Sequence, residues 1–175
     1  ILGFNCLNRC VKEFGLTQPA AILDKLCELV DEVFSKSESD IKDGMDIALC
    51  RYDYKNNILE YSGAGNSLYH ITGNTLLEIK ADKQPIGKFS NRVPFTNHLI
   101  PLKKNDAIYI FTDGYPDQFG GPKGKKFKYS QFENLLLSIQ DKSMSEQREI
   151  LNNAIEKWKG ELEQIDDICI LGVKI

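Results

Sequence analysis

Residues 108–121 read IYIFTDGYPDQFGG, and this stretch decides the fold. It begins inside an almost unbroken apolar run, residues 107–112, which is typical of a β-strand buried on both faces. Asp113-Gly114 follows directly at the end of that strand. The sequence therefore predicts a carboxylate at the edge of a buried sheet, where several strands can direct side chains into one cleft.

A second acidic pair, Asp166-Asp167, comes directly before a last predicted strand at residues 168–175. Hard divalent cations such as magnesium and manganese prefer carboxylate, carbonyl and water oxygens as ligands. A site for two such ions needs carboxylates from several strands. The competing interpretation is that Asp113-Gly114 is an ordinary turn and that the acidic pair lies in a solvated loop. Spacing alone leaves both interpretations open.

The composition is that of one ordinary soluble domain, which we expect to be cytoplasmic. The chain has 175 residues and 42% hydrophobic content, enough for one core. Its net charge of −3 argues against a broad basic surface that binds nucleic acid. No apolar run approaches the roughly 18 residues of a membrane span. The cysteines lack CxxC spacing, so we expect reduced, mostly buried thiols at Cys6, Cys10, Cys27, Cys50 and Cys169.

Apolar periodicity predicts helices at both ends of the chain and strands between them. The first helix stops near Gly15, and a long amphipathic helix covers residues 18–35, with Thr17 as its cap. Predicted strands cover residues 45–52, 58–62, 67–71, 75–79, 95–100, 107–112 and 168–175. Two capping-box patterns, Ser130 with Glu133 and Ser143 with Glu146, predict the starts of the last helices. The fold class is therefore α+β with antiparallel sheet.

Five stretches of this chain, taken in order, resemble the protein phosphatase 2C superfamily (PPM). The stretch at residues 108–121 is similar to its Thr/Ser-Asp-Gly signature. The other four are residues 43–49, 61–66, 84–87 and 164–170, which read DGMDIAL, YSGAGN, QPIG and QIDDICI. The similarity is greatest to bacterial stage II sporulation protein E (SpoIIE)-like serine/threonine phosphatase domains. It implies an α-β-β-α sandwich of two antiparallel sheets flanked by helices.

The resemblance also assigns roles to individual residues. Asp113 and Asp166 resemble the family aspartates that bind one catalytic metal ion, so both are candidate catalytic and metal-binding residues. Gly114 would permit the tight turn, and Asp167 would support the site as a neighbour of the ligands. Asp46 lies in a segment that relatives place beside the cleft; the alternative is a strand carboxylate that faces water.

The family's earlier metal-bridging element, an aspartate and a glycine, is not found before the first helix. Ile1-Leu2-Gly3-Phe4 already follows a helical pattern, so we expect residues 1–175 to be the C-terminal part of a single catalytic domain. The intact domain would hold two Mn²⁺ or Mg²⁺ ions that activate water for direct attack on a phosphoserine or phosphothreonine phosphorus. This chain would hold metal weakly and have little activity, because its site would be incomplete.

The resemblance implies a phosphorylated protein substrate, such as an anti-sigma-factor-antagonist-like protein, and an upstream sensor domain in the same chain. Two other hypotheses remain: a degenerate phosphatase fold that only binds a partner, and a structural module in which both acidic motifs are turns that point apart. Lys123, Lys125, Lys126 and Lys128 could form a basic flap near a phosphorylated partner, or simply a solvated run. We expect His70, His98 and Trp158 to be structural.

Overall fold

The computed structural model describes residues 2–35 and 44–175, with the side chain of Ser35 left aside. Residues 1–68 and 79–102 form one compact unit, and residues 69–78 and 103–175 form another. Ile1 and Asp43, which belong to two of the sequence patterns above, lie outside the described residues. In the described ranges, no helix is long and apolar enough to cross a membrane.

The first unit combines two helices with a small antiparallel sheet. Its helices are α1 (Leu2–Lys12) and α2 (Pro19–Ser35), and its strands are β1 (Gly44–Met45), β2 (Ile47–Asp53), β3 (Ile58–Ala64), β6 (Ile86–Gly87) and β7 (His98–Pro101). The strands β2, β3 and β7 form one sheet in that order, and β1 pairs with β6. The apolar stripe predicted on α2 is buried, including Leu23, Leu26 and Leu29. This stripe packs in a core with Cys6 and Cys10 of α1.

Two of the predicted strands in this unit differ from those observed. The strand predicted from residue 45 to residue 52 is interrupted at Asp46, which separates β1 from β2. The strand predicted at residues 95–100 is shorter, since β7 begins only at His98. Phe95 is buried outside any strand, because its N–H group donates to Asp24 Oδ1 of α2 at 3.0 Å and not to a neighbouring strand.

The second unit contains a larger sheet and the remaining helices. Its elements are β4 (Leu68–Thr72), β5 (Thr75–Ile79), β8 (Ala107–Phe111), α3 (Gly114–Asp117), β9 (Phe119–Gly120), β10 (Lys125–Lys126), α4 (Tyr129–Ser138), α5 (Met144–Lys159) and β11 (Ile170–Lys174). The sheet has the order β11-β8-β4-β5, and β11 runs antiparallel to β8. The buried rings of Tyr69, Phe111, Tyr115 and Phe132 form the centre of its core.

One of the two predicted capping boxes is confirmed and the other is wrong. Ser143 caps α5 by accepting the Glu146 N–H, and the Glu146 side chain accepts the Ser143 N–H in return. The helix α4 begins two residues earlier than its pattern requires. Its cap position is Lys128, whose side chain makes no capping bond. Ser130 lies inside the first turn, so it cannot act as the cap.

Candidate active site

Asp113 stands where the central strand β8 of the larger sheet gives way to the short helix α3. It occupies the N-cap position of α3, and its carbonyl accepts the Asp117 N–H at 2.9 Å. Its carboxylate is exposed and makes no capping hydrogen bond to the helix. A carboxylate in this state keeps its oxygen lone pairs available for a ligand.

Asp166 and Asp167 lie in an exposed loop that leads into β11. One carboxylate oxygen of Asp166 accepts the Asp167 N–H at 2.7 Å, and the Asp166 carbonyl accepts from the Gln164 side chain at 2.8 Å. The predicted last strand starts later than expected, since it includes Ile170 but not Ile168. The acidic pair is thus separated from the strand by two residues of irregular backbone.

Thr112 joins the two acidic segments. Its hydroxyl donates to the carbonyl of Asp167 at 2.7 Å and accepts the Cys169 N–H at 2.9 Å. Its own N–H donates to the Cys169 carbonyl at 3.0 Å, which extends the pairing of β8 with β11. The Thr112 side chain, directly before Asp113, therefore holds the backbones of the two acidic segments together.

Gly114 is required here by close approach rather than by an unusual backbone angle. It is not among the glycines with positive φ, whereas Gly65 and Gly121 are. A Cβ atom at Gly114 would lie 2.5 Å from the Asp167 carbonyl oxygen and 3.3 Å from that of Asp166. Any larger residue would push the two acidic segments apart. The sequence pattern predicts a glycine at this position, but it attributes the glycine to a tight turn and not to this close approach.

The structure therefore brings Asp113, Gly114, Asp166 and Asp167 together at the level of the backbone. Asp46 belongs to the other unit, where it is exposed at the break between β1 and β2. Its carboxylate lies against Gly65, whose φ is +74°; a Cβ atom there would be 2.4 Å from Asp46 Cγ. The Gly65 N–H donates to the Asp82 carbonyl at 3.1 Å.

The oxygen atoms of this site are of the type that binds a hard divalent ion, but they are too few to surround one. Carboxylate and carbonyl oxygens from Asp113, Asp166 and Asp167 are what Mg²⁺ or Mn²⁺ would select. Within residues 2–35 and 44–175, however, no group of three or more His, Cys, Asp or Glu side chains is placed to hold a metal ion. Two carboxylates leave most positions around such an ion to water.

Two residues that sequence reasoning did not assign to the site border it. Thr112 belongs to the Thr-Asp-Gly signature, to which the sequence assigns no role for the threonine itself. Tyr129 is the first residue of α4. Burial raises the pKa of the Tyr129 phenol, and the charges of Asp113 and Asp117 raise it further. Asp117 itself pairs with Lys126 at 2.7 Å. No sequence signal could have found Tyr129, because its position depends on how α4 packs beside α3.

The two histidines and the tryptophan make structural contacts. The buried His70 ring lies 2.8 Å from Asp106 Oδ2, which also accepts the Lys103 N–H at 2.9 Å. The ring of His98 stacks on that of Tyr61 in the first unit, with centroids 5.7 Å apart. Trp158 packs against the core of the second unit and donates from Nε1 to the Gln118 carbonyl.

All five cysteines are free thiols, as the sequence predicts. Cys6, Cys10 and Cys27 are buried, Cys50 is partly buried and Cys169 is exposed. Burial raises the pKa of the Cys50 thiol to about 12, which keeps it protonated and unreactive at neutral pH.

Comparison with known proteins supports the predicted fold. The family model described as Stage II sporulation protein E (SpoIIE) matches residues 7–175. The SiaA-PP2C domain of Pseudomonas aeruginosa superposes with a TM-score of 0.90 at 28% identity, covering 99% of this chain and 68% of that one. The predicted protein phosphatase 2C-like fold is therefore confirmed. No curated protein sequence matches the chain.

Two more distant structures share the fold alone. The RsbU and RsbW domains of Rv1364c from Mycobacterium tuberculosis match with a TM-score of 0.67 at 19% identity, covering 97% of this chain and 45% of that one. RsbX, solved in complex with magnesium, matches with a TM-score of 0.62 at 13% identity, covering 99% of this chain and 73% of that one.

Proposed function

Since this chain belongs to the SpoIIE family of PP2C-type phosphatase domains, we propose that it hydrolyses phosphoserine and phosphothreonine in a bacterial signalling protein. We further propose that residues 1–175 are the C-terminal part of one catalytic domain. The proposal is supported by the hydrogen bonds of the Thr112 hydroxyl to the Asp167 carbonyl and the Cys169 N–H, which join the residue before Asp113 to the loop that contains Asp166 and Asp167.

Asp113 and Asp166 are the residues that would hold a divalent ion, Mn²⁺ or Mg²⁺. When bound, such ions supply charge neutralisation at the phosphate oxygens and make a nearby water more acidic. In the hydrolysis, a bond forms between the water oxygen and phosphorus while the bond from phosphorus to the serine or threonine oxygen breaks. The released alcohol takes up a proton, and no phosphoenzyme is formed.

The other residues of the site have positioning roles. Thr112 holds the Asp166-Asp167 loop against the end of β8, and Gly114 lets the two backbones approach. Asp167 contributes through its carbonyl, which is already bound by Thr112, and its N–H orients the Asp166 carboxylate. Preorganised oxygens of this kind cost little reorganisation when a cation is bound.

We expect the 175-residue chain to be weak or inactive alone. In the parts of the chain that the structure describes, no three His, Cys, Asp or Glu side chains come together to hold a metal ion. A two-ion site needs ligands that bridge both ions. The SiaA-PP2C domain is longer, since this chain spans 68% of it, and we propose that the missing ligands lie in a preceding segment.

A second hypothesis is a degenerate phosphatase fold that acts by binding a regulatory protein. The same shortage of metal ligands among the described residues favours it. Under either hypothesis the partner is a cytoplasmic regulatory protein. The SpoIIE structure from Bacillus subtilis that contains a fragment of its regulatory domain provides a precedent for coupling this fold to regulation.

Hydrolysis of a phosphoserine peptide with added Mn²⁺ tests the proposal. The protein to use is one extended upstream to the length of the SiaA-PP2C domain, of which this chain spans 68%. Asp113→Ala and Asp166→Ala should each lower kcat by about 100-fold or more, because metal charge stabilisation is worth several kcal/mol. Asp141→Ala, which removes an exposed carboxylate of the same unit, is the control. A folded extended protein that hydrolyses nothing with any divalent ion would favour the partner-binding hypothesis.

A further inference from the structure

The segment from Gln118 to Lys128 is a short hairpin with strong positive charge. It contains four lysines and no acidic residue, although the chain as a whole has a net charge of −3. The strands β9 and β10 pair antiparallel, with Lys125 opposite Gly120 and Lys126 opposite Phe119. All four lysine side chains are exposed. We call this segment the basic hairpin.

The basic hairpin is anchored to α5 at its base. The Gly121 N–H donates to the Trp158 carbonyl at 2.7 Å, and Trp158 Nε1 donates to the Gln118 carbonyl at 3.1 Å. Gly120 lies so close to Trp158 that a Cβ atom there would be 1.9 Å from its carbonyl oxygen. The rings of Phe127 and Trp158 pack edge to face. These contacts hold the lysines on a defined surface.

The hairpin also adjoins the candidate active site. The Lys128 N–H donates to the carbonyl of Pro116 in α3 at 2.7 Å, and Lys126 pairs with Asp117 of the same helix. Asp113 occupies the N-cap position of this helix, so the Lys128 backbone lies about one helical turn from the candidate metal ligand. Its φ is +77°, an angle that non-glycine residues adopt at a cost and that is often found at functional sites.

Among residues 2–35 and 44–175, three of the four lysines have no acidic partner to neutralise them. Lys126 is paired with Asp117. For Lys123, Lys125 and Lys128, no side-chain ion pair or hydrogen bond exists among residues 2–35 and 44–175. Solvated lysines need no function, but three unpaired charges on one anchored surface beside a phosphate-handling site are complementary to an acidic ligand.

We propose that the basic hairpin binds acidic side chains that flank the phosphorylated residue of the substrate protein. This inference rests on the proposed function, since it assumes that the phosphate is presented at Asp113 and Asp166. Lys125 and Lys128 contact the acidic residues, while the Lys126 pair with Asp117 supports the hairpin. The preferred substrate is thus a phosphoserine or phosphothreonine in an acidic segment.

Equilibrium binding of two labelled phosphoserine peptides to the 175-residue chain tests this inference. One peptide carries glutamates on both sides of the phosphoserine, and the other carries glutamines. Fluorescence anisotropy should show tighter binding of the acidic peptide at low salt, with the preference lost at about 1 M salt, where the Debye length falls to about 3 Å. Hydrolysis is not needed, so an inactive chain still gives a result.

Substitutions of lysine pairs distinguish binding by the basic hairpin from non-specific attraction to other exposed lysines. Lys125→Gln with Lys128→Gln should weaken binding of the acidic peptide by about 3- to 10-fold, because two exposed ion pairs of modest strength are lost. The peptide with glutamines should be unaffected. Lys125→Arg with Lys128→Arg should retain binding, since the charge is kept. Lys103→Gln with Lys104→Gln changes the charge equally in another exposed loop of the same unit and should leave the preference intact.

Equal affinity for the two peptides, or equal losses from the hairpin and control pairs, would overturn the proposal. If the acidic peptide binds as predicted but the extended protein hydrolyses no phosphopeptide, the catalytic proposal fails and the hairpin proposal stands. If hydrolysis occurs with no dependence on flanking charge, the hairpin proposal fails alone.

Discussion

The hydroxyl of Thr112 donates a 2.7 Å hydrogen bond to the carbonyl of Asp167, a residue 55 positions later in the chain. The same oxygen accepts the Cys169 N–H. This pair of bonds turns two acidic segments, which the sequence shows only as separate motifs, into one structural element. The threonine of the Thr-Asp-Gly pattern therefore has a role of its own, distinct from that of the aspartate.

Removal of the Thr112 hydroxyl should loosen this element. Thr112→Val keeps the shape but leaves the Asp167 carbonyl and the Cys169 N–H without their partner, and we expect the free energy of unfolding to fall by about 1 kcal/mol. Hydrogen exchange of the Cys169 amide should quicken as well. Thr112→Ser retains the hydroxyl and should behave like the wild type. Slow Cys169 exchange in the valine variant would show that the hydroxyl does not hold the loop.

A methyl group at Gly114 should be costly because it meets backbone atoms that cannot rotate away. The Cβ atom would be 2.5 Å from the Asp167 carbonyl oxygen, so Gly114→Ala should destabilise by about 2 to 3 kcal/mol in urea unfolding. Gly73 is the comparison, since its Cβ would meet nothing within 4 Å although its φ is +57°. Gly73→Ala should cost only the backbone strain, about 1 kcal/mol. If the two variants were equally stable, close approach would not explain Gly114.

Replacing the serine of each capping-box pattern with alanine should have a different effect on stability. Ser143→Ala removes the cap of α5 and should lower the free energy of unfolding by about 1 kcal/mol. Ser130→Ala should have almost no effect, because Ser130 lies within α4 and caps nothing. Chemical denaturation of the two variants side by side measures both. A larger loss for Ser130 would mean that α4 starts where the sequence pattern placed it.

The buried pair of His70 and Asp106 should make stability depend on pH in the acid range. Burial opposes ionisation of Asp106, but the Lys103 N–H, His70 and Thr72 together hold the pKa of its carboxyl below the usual value. Its contribution is therefore complete above the unfolded-state pKa, about 3.9, and is lost as the pH falls through the lower folded-state pKa.

Asp106→Asn should remove that contribution. At pH 7 we expect a loss of about 1 to 3 kcal/mol, since a buried hydrogen-bonded carboxylate is replaced by an amide that matches its donors less well. The difference between wild type and variant should shrink below about pH 4, where the unfolded wild-type chain takes up a proton at Asp106, and should be lost once the pH falls below the lower folded-state pKa. Urea unfolding at several pH values measures it. A difference that stayed constant down to the lowest pH would contradict the assignment.

The fold was largely predictable from the sequence because its strands and helices have clear periodicity. The buried stripe of α2 and the central strand β8 follow directly from apolar spacing. The errors arose at the ends of helices and strands. Asp24 binds the Phe95 N–H and takes it out of the sheet. The position of Lys128, with its positive φ, starts α4 before Ser130.

The candidate site was predictable only in part, because its assembly depends on tertiary contacts. The sequence pointed to Asp113, Gly114, Asp166 and Asp167, and the structure brings their backbones together. The sequence did not indicate the hydrogen bond from the Thr112 hydroxyl to the Asp167 carbonyl, which joins residues 55 positions apart. Residue type and local spacing do not reveal contacts between residues that are so far apart in the chain.

The central claim, that Asp113 and Asp166 hold the same metal ion, is tested most directly by calorimetric titration of Mn²⁺ into the protein extended upstream to the length of the SiaA-PP2C domain. Asp113→Asn and Asp166→Asn should each abolish binding of one ion. The double variant should bind no worse than either single one, because two ligands of one ion are not independent. Titrations of both single variants that match the wild type would contradict the claim.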